Sequence, residues 1–350
     1  MGNRTLSVVL AALLVFSMAL TGGAKPTVLK YATTGPGDPL SYIPYAAGLI
    51  MKQIIEARTE GQIIVEIYPG SALGTQREII EGVQMETVEI GSVNTAGLSG
   101  WVEEMDLLSI PFLFRSERMA WEILDGPFGQ KLMEHTLART GLRIVGGIQT
   151  FGMRHLTNSV RPVRIPGDLK GLKFRSMDSP IFIKMFQALG ATATPIAASE
   201  MYLAMQMGTV DGQENPPQSI DSFKLYEVQK YLTLDGHTVA TQVMIMNDNF
   251  LKRLSREQRD IVLEAARDAT ISVRGFSILV NLIAVEKLTK QGMEVYQPSP
   301  EELDLFAAAT QKPVLDHLST YIDREWIQDA LDAAEAARAR LADDYMSFGM

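Results

Sequence analysis

Apolar positions along this chain change period repeatedly, from alternation to helical spacing and back. Residues 28–33 read as a strand, and 63–68 is a β-branched run stopped by Pro69-Gly70 that predicts another. Between them Ile43, Ala46, Ala47, Ile50, Ile54 and Ile55 recur at helical spacing. The pattern then predicts a helix over about 75–85, a strand near 88–93, a helix over about 118–139 and a strand over 142–148. Strands alternating with helices imply an α/β unit with a largely parallel sheet.

A second cycle starts at Phe151. Strands are expected at 172–177, 231–234 and 237–246, and helices at 180–189 and 199–207. Two cycles imply two α/β lobes. Ser255, with Gln258 three residues on, is a capping box that opens a proline-free stretch reaching Gln291. One straight helix of that length would run roughly 50 Å, enough to lie across both lobes. Its interior Gly275 leaves open a break into two helices. A late strand is expected at 293–296, and Ser299-Pro300-Glu301-Glu302 starts another helix. The tail, 326–350, carries Ile327, Ala330, Leu331, Ala334, Ala337 and Leu341 on one stripe. That stripe packs on its own lobe or forms the seam of a homodimer. The expected division is lobe I from 25–150 and 238–275, lobe II from 151–237 and 276–325, and a helical tail from 326.

The 350 residues, 46% of them hydrophobic, fit two ordinary domains with sizeable cores. The net charge of −9 argues against nucleic acid and anionic membranes as partners. An anionic ligand must therefore be held by local positive charge. Arg4, the apolar run from Leu6 to Leu20 and Gly22-Gly-Ala24 have the layout of a cleaved secretory signal over 1–24, with an uncleaved anchor as the alternative. The chain has no cysteine, so neither a lipid at the cleavage site nor a disulfide is possible. No later segment is expected to span a bilayer, and the expected location is a bacterial periplasm. None of His135, His155, His237 and His317 stands at metal-ligand spacing, and no nucleophile elbow, P-loop or dinucleotide fingerprint occurs. No catalytic residue, metal or cofactor is named on these grounds.

The most distinctive block is Asp168-Leu-Lys-Gly-Leu-Lys-Phe-Arg175, followed by Ala188-Leu-Gly-Ala191, Ser199-Glu-Met-Tyr202 and Val210-Asp-Gly-Gln-Glu-Asn-Pro216. On spacing alone, Lys173 and Arg175 alternate like the wet face of an edge strand. A guanidinium also offers a planar fork of donors that matches a carboxylate. The block resembles the signature region of the TRAP (tripartite ATP-independent periplasmic) solute-binding proteins of the dicarboxylate type. Tyr68-Pro-Gly-Ser-Ala-Leu-Gly74, Phe151-Gly-Met-Arg-His-Leu-Thr-Asn158 and Ile110-Pro-Phe-Leu-Phe114 also match, and the likeness runs from about residue 28 to 324.

The resemblance implies a two-lobed periplasmic fold with crossing strands and a long helix spanning both lobes. It makes Arg175 the grip on a ligand carboxylate and Arg154 a second arginine near the ligand, a lobe-linking salt bridge, or both. Asn215 is implied as a ligand contact, with an Asx turn as its alternative. Thr34 and Asn94 become first-lobe contacts or turn residues, Phe151 a pocket wall or core residue, and His237 a structural histidine. Ala198 stands where some relatives place an aromatic, which would open one side of the pocket. Asn94 replaces the acidic residue of sialic-acid carriers, so that ligand is not carried over. The implied function is a receptor, not an enzyme, that delivers a small organic acid to a TRAP membrane permease driven by an ion gradient. A periplasmic enzyme acting on organic acids and a sensor-coupled binding protein are the alternatives. Two arginines favour a ligand with more than one polar anchor.

Overall fold

The computed structural model describes residues 25–347. The signal-like segment 1–24 lies outside them. Nine strands form one hydrogen-bonded mixed sheet in the order β2-β1-β3-β8-β4-β7-β5-β6, with β9 also on β8. One end holds β1 (Thr27–Thr33), β2 (Ile63–Tyr68) and β3 (Ile90–Asn94); the other holds β5 (Lys173–Ser176), β6 (Thr192–Pro195), β7 (Gly212–Asn215) and β9 (Glu294–Tyr296). The outer pairs β1/β2, β1/β3, β5/β6, β5/β7 and β8/β9 are parallel, as alternating elements require. The pairs β3/β8, β4/β8 and β4/β7 are antiparallel, so the sheet is less parallel than expected.

The two lobes share β4 (Leu142–Asn158) and β8 (Tyr231–Asn247), which pair from Leu142 with Asn247 to Asn158 with Tyr231. This corrects the strand expected to stop at residue 148 and the two short strands expected at 231–234 and 237–246. Register shifts at Val145/Ile148, Thr150/Met153 and Arg154/Leu156 bend the ladder without ending it. Two glycines let a helix close on this bent strand. A Cβ on Gly146 (φ 76°) would lie 2.3 Å from the Ala266 carbonyl oxygen, and one on Gly152 (φ 127°) would lie 2.6 Å from Asn281 Nδ2.

That helix is Arg256–Lys290, opened by the Ser255/Gln258 capping box and unbroken at Gly275. Ile261, Val262, Ala265, Ala266, Ala269 and Val273 share a core with Leu29, Ile43, Met51, Ile55 and Ile63, while Leu288 packs with Met201, Ile220 and Leu225 at the other end. By length and apolar composition this helix could cross a membrane, contrary to expectation. In the fold one face is instead buried against two cores.

Other differences have local causes. The helix expected over 118–139 is two, Glu117–Asp125 and Pro127–Thr140, because Pro127 cannot donate to the preceding turn and starts a new helix. The helix expected over 199–207 shrinks to Met201–Gln206 after a 3-10 turn over Ala198–Glu200. The tail is helical over Arg324–Ser347. Its stripe residues Ile327, Ala330, Ala334, Ala337 and Leu341 are buried in the chain's own main core. Trp326 meets Phe128 edge-on at 6.4 Å, under Lys131 Nζ at 4.3 Å, and Lys131 reaches Asp329 at 2.7 Å. A homodimer seam on that stripe would have to displace these contacts, so the self-packing alternative is the one the fold adopts.

Candidate ligand-binding site

Strands β1, β3, β5 and β7 end around one cavity of about 420 Å³, and β4 and β8 cross beside it. Carboxyl ends of strands in open α/β sheets are where backbone and side chains converge on ligands. Thr34, Asn94, Phe151, Arg154, Arg175 and Asn215 all line this cavity, and so does Ala198. The chain brings these residues together from six separate segments.

Arg175 sits near the end of β5 and is 5% exposed. Its Nε donates to the Ile196 carbonyl at 2.8 Å, and among the described residues it has no ion pair. The remaining edge of the guanidinium is therefore not occupied by a protein anion. Burial pulls its pKa down to about 10, Glu214 opposes that shift and the like charge of Arg154 adds to it. A buried cation whose only hydrogen bond goes to a neutral carbonyl is a ready anion site.

Arg154 is in the opposite state. It donates through Nε and Nη2 to the Glu214 carboxylate, with the Nη2–Oε1 contact at 2.8 Å, and through Nη2 to the Asn215 Oδ1 at 3.1 Å. Its guanidinium lies 5.6 Å over the Phe182 ring. Glu214 is completely buried. Burial alone would raise its pKa, but Arg154 and His237 overcome this and hold it near 2. The salt bridge weighed for Arg154 thus exists, but it joins β4 to its neighbour β7 and not one lobe to the other.

The pair extends into a chain of buried charge. His237 Nε2 lies 3.3 Å from Glu214 and its Nδ1 lies 2.8 Å from Asp235, which also accepts from the Leu156 amide at 3.1 Å. Burial would lower the His237 pKa, yet the two carboxylates raise it to about 9, so the ring is a cation at neutral pH. His155 accepts from the Gly236 amide at 3.0 Å, and burial lowers its pKa to about 4.

Asn215 is not an Asx-turn residue. Its Oδ1 is held by Arg154, and its Nδ2 donates to Gln213 Oε1 and to Met201 Sδ. Asn94 Oδ1 caps the following helical turn through the Ala96 amide at 3.0 Å, while its own amide donates to Gln76 Oε1 at 2.7 Å. Tyr42, Phe223, Gln76 and Gln242 also line the cavity, and the sequence reading missed them. Tyr42 and Phe223 meet edge-to-face at 6.2 Å within this lining. Glu214 and Asp235 were missed as well, although Glu214 lies within the Gly212-Gln-Glu-Asn215 motif. Their role depends on strand pairing, which composition does not reveal. Among the described residues no cluster of His, Cys, Asp and Glu could hold a metal ion.

Two lobes joined by shared strands, with an unpaired buried cation in the cavity between them, define a two-lobed solute-binding protein. The family model for bacterial extracellular solute-binding protein, family 7, matches residues 39–320, and the chain belongs to that family, the DctP-type TRAP solute-binding proteins. A solute-binding protein of Verminephrobacter eiseniae is 40% identical over 213 residues, 61% of this chain and 63% of its own length, slightly under two thirds. The 2,3-diketo-L-gulonate-binding periplasmic protein YiaO of Escherichia coli is 32% identical over 289 residues, 82% of this chain and 84% of that one. The crystal structure of the sugar acid binding protein DctPAm from Advenella mimigardefordensis, in complex with galactonate, superimposes with a TM-score of 0.85 at 30% identity, covering 89% of this chain and 99% of that one. Proteins of this family are solute-binding receptors, and named members are periplasmic.

Proposed function

We propose that the protein is a periplasmic receptor that pairs Arg175 with the carboxylate of a small organic acid and delivers the acid to a TRAP membrane permease. The observation that carries this reading is the buried Arg175 guanidinium, which lines the cavity without a protein anion. Asn215 and Arg154 frame the same wall, Thr34 and Asn94 the facing one, and Phe151 lines the cavity from β4. The lobes divide as 25–150 with 238–275 and 151–237 with 276–325, and they move about the bulges of β4. Segment 1–24 acts as a cleaved signal, and a chain without cysteine carries no lipid at the cleavage site. The cavity holds its ligand without turning it over and needs no cofactor.

Breaking one partner of a buried charged pair costs about 2–5 kcal/mol, or roughly 30- to several-thousand-fold in affinity. Calorimetry with organic acids on Arg175→Ala is therefore expected to show that loss with the fold intact. Wild-type affinity in that variant overturns the role of Arg175. Recovery of chemically altered acid after incubation would instead support the enzyme alternative.

A further inference from the structure

We infer that the cavity is built for a ligand with a single carboxylate on a neutral, hydrogen-bonding body, and that it discriminates against dicarboxylates. The inference rests on the receptor reading above. Three cations line the cavity: Arg77, Arg154 and Arg175. The charge of Arg154 is already cancelled by Glu214, whose carboxylate accepts from its Nε and Nη2, and Nη2 also donates to Asn215. Arg77 is exposed, donates from Nε to Glu81 at 3.0 Å and lies over Trp101. The lining carboxylate Asp178 adds negative charge to the same cavity. Arg175 is left as the one buried cation without a counter-charge among the described residues. A second carboxylate sealed in this space would lose its hydration without gaining a cation.

The test is calorimetry on the full mature chain with matched pairs of four to six carbons, an aldonate against the aldarate of the same stereochemistry, with the alditol as the uncharged control. The expected result is that at least one aldonate binds and its aldarate binds about 30-fold more weakly or worse, with no heat from the alditol. An aldarate that binds as tightly as its aldonate overturns the single-carboxylate inference and leaves the receptor reading standing. No binding by any acid of a panel that also includes keto acids and succinate overturns both.

A separate observation concerns the outward face of Arg256–Lys290. Ile271, Ile278, Leu279, Leu282 and Ile283 on this face are 43–65% exposed. The stripe Arg267, Ile271, Gly275, Ile278, Leu282, Glu286 is spaced four, four, three, four, four, so it reads the same from either end. Antiparallel pairing about a two-fold axis between residues 276 and 277 sets Ile271 against Leu282 and the bare backbone of Gly275 against Ile278. It also sets Arg267 against Glu286, and every contact occurs twice. Nothing within 4 Å would meet a Cβ on Gly275. Arg267 has no partner among the described residues, and Glu286 meets only Lys290 of its own helix, an exposed pair that a second copy can exchange for Arg267. We propose that this face pairs with a second copy of the chain. The charge match at both ends selects that occupant over a lipid surface, for which the anionic chain is poorly suited.

Sedimentation of the mature chain across micromolar concentrations is expected to show a reversible dimer that Leu282→Glu converts to monomer, with circular dichroism and ligand affinity unchanged. Arg267→Glu and Glu286→Arg should each weaken the dimer, and the double exchange should restore it. A monomer at all concentrations, a dimer insensitive to Leu282→Glu, or vesicle binding by a monomeric chain overturns the proposal.

Discussion

The two walls of the cavity are built on different principles. The wall from β4 and β5 carries the two buried arginines of the lining, Arg154 and Arg175, with Glu214 of β7 buried against Arg154. The facing wall, at the ends of β1 and β3, presents Thr34 and Asn94, both neutral and half-buried. The charged wall is itself divided. Arg154 is spent on Glu214, whereas Arg175 is held by a single carbonyl. One arginine stabilises the fold and the other stores an unmet interaction, so identical side chains two strands apart in one sheet serve opposite ends. The neutral wall can change its hydrogen bonds at little cost in stability, and that suits the part of a site that discriminates between ligand bodies.

The sharpest way to break this comparison is to remove Glu214. Glu214→Ala leaves Arg154 and His237 buried without their counter-charge and is expected to cost about 3–5 kcal/mol of stability in denaturant unfolding. A cost below 1 kcal/mol would mean the network is slack. Arg175→Met should act in the opposite sense on the free protein. It removes an unpaired buried charge, so the melting temperature of the unliganded chain should hold or rise while acid binding is lost in calorimetry. A clear fall in melting temperature would show that Arg175 also stabilises the fold.

The pH dependence separates the same groups. The Glu214 pKa is lowered from 4.5 to about 2, so its stabilisation is complete above 4.5 and is lost as pH falls toward 2. The His237 pKa is raised from 6.5 to about 9, so its contribution is complete below 6.5 and is lost as pH rises toward 9. The His155 pKa is lowered from 6.5 to about 4, so its contribution is present above 6.5 and erodes toward 4. Melting temperatures should therefore fall on both sides of neutrality, and His237→Asn should flatten the alkaline limb alone. The smallest effect belongs to the neutral wall. Asn94→Ala removes the cap on the Ala96 amide and should cost about 1 kcal/mol, with the carboxylate anchor unaffected. A complete loss of acid binding in that variant would move the anchor to the wrong wall.

Much of this arrangement could be read along the chain. The strands over 63–68 and 173–176, the capping boxes at Ser255 and Ser299, and the length of the helix they begin follow from local spacing and hydrogen-bond chemistry. The six candidate positions came from the resemblance of short local motifs to a family pattern, and the fold gathers them into one cavity. Tertiary structure alone decided the rest. Whether a glycine ends a strand or bends it depends on the neighbour across the ladder, which is why β4 and β8 run on past Gly147 and Gly236. Whether an apolar stripe is covered depends on what packs there, which separates the buried tail stripe from the exposed one on Arg256–Lys290. Which arginine is free depends on Glu214, a residue 60 positions from Arg154 that only sheet pairing brings beside it. Charge is set by residue type, but the balance of charge in a buried site is set by who the neighbours are, and that is a property of the folded chain.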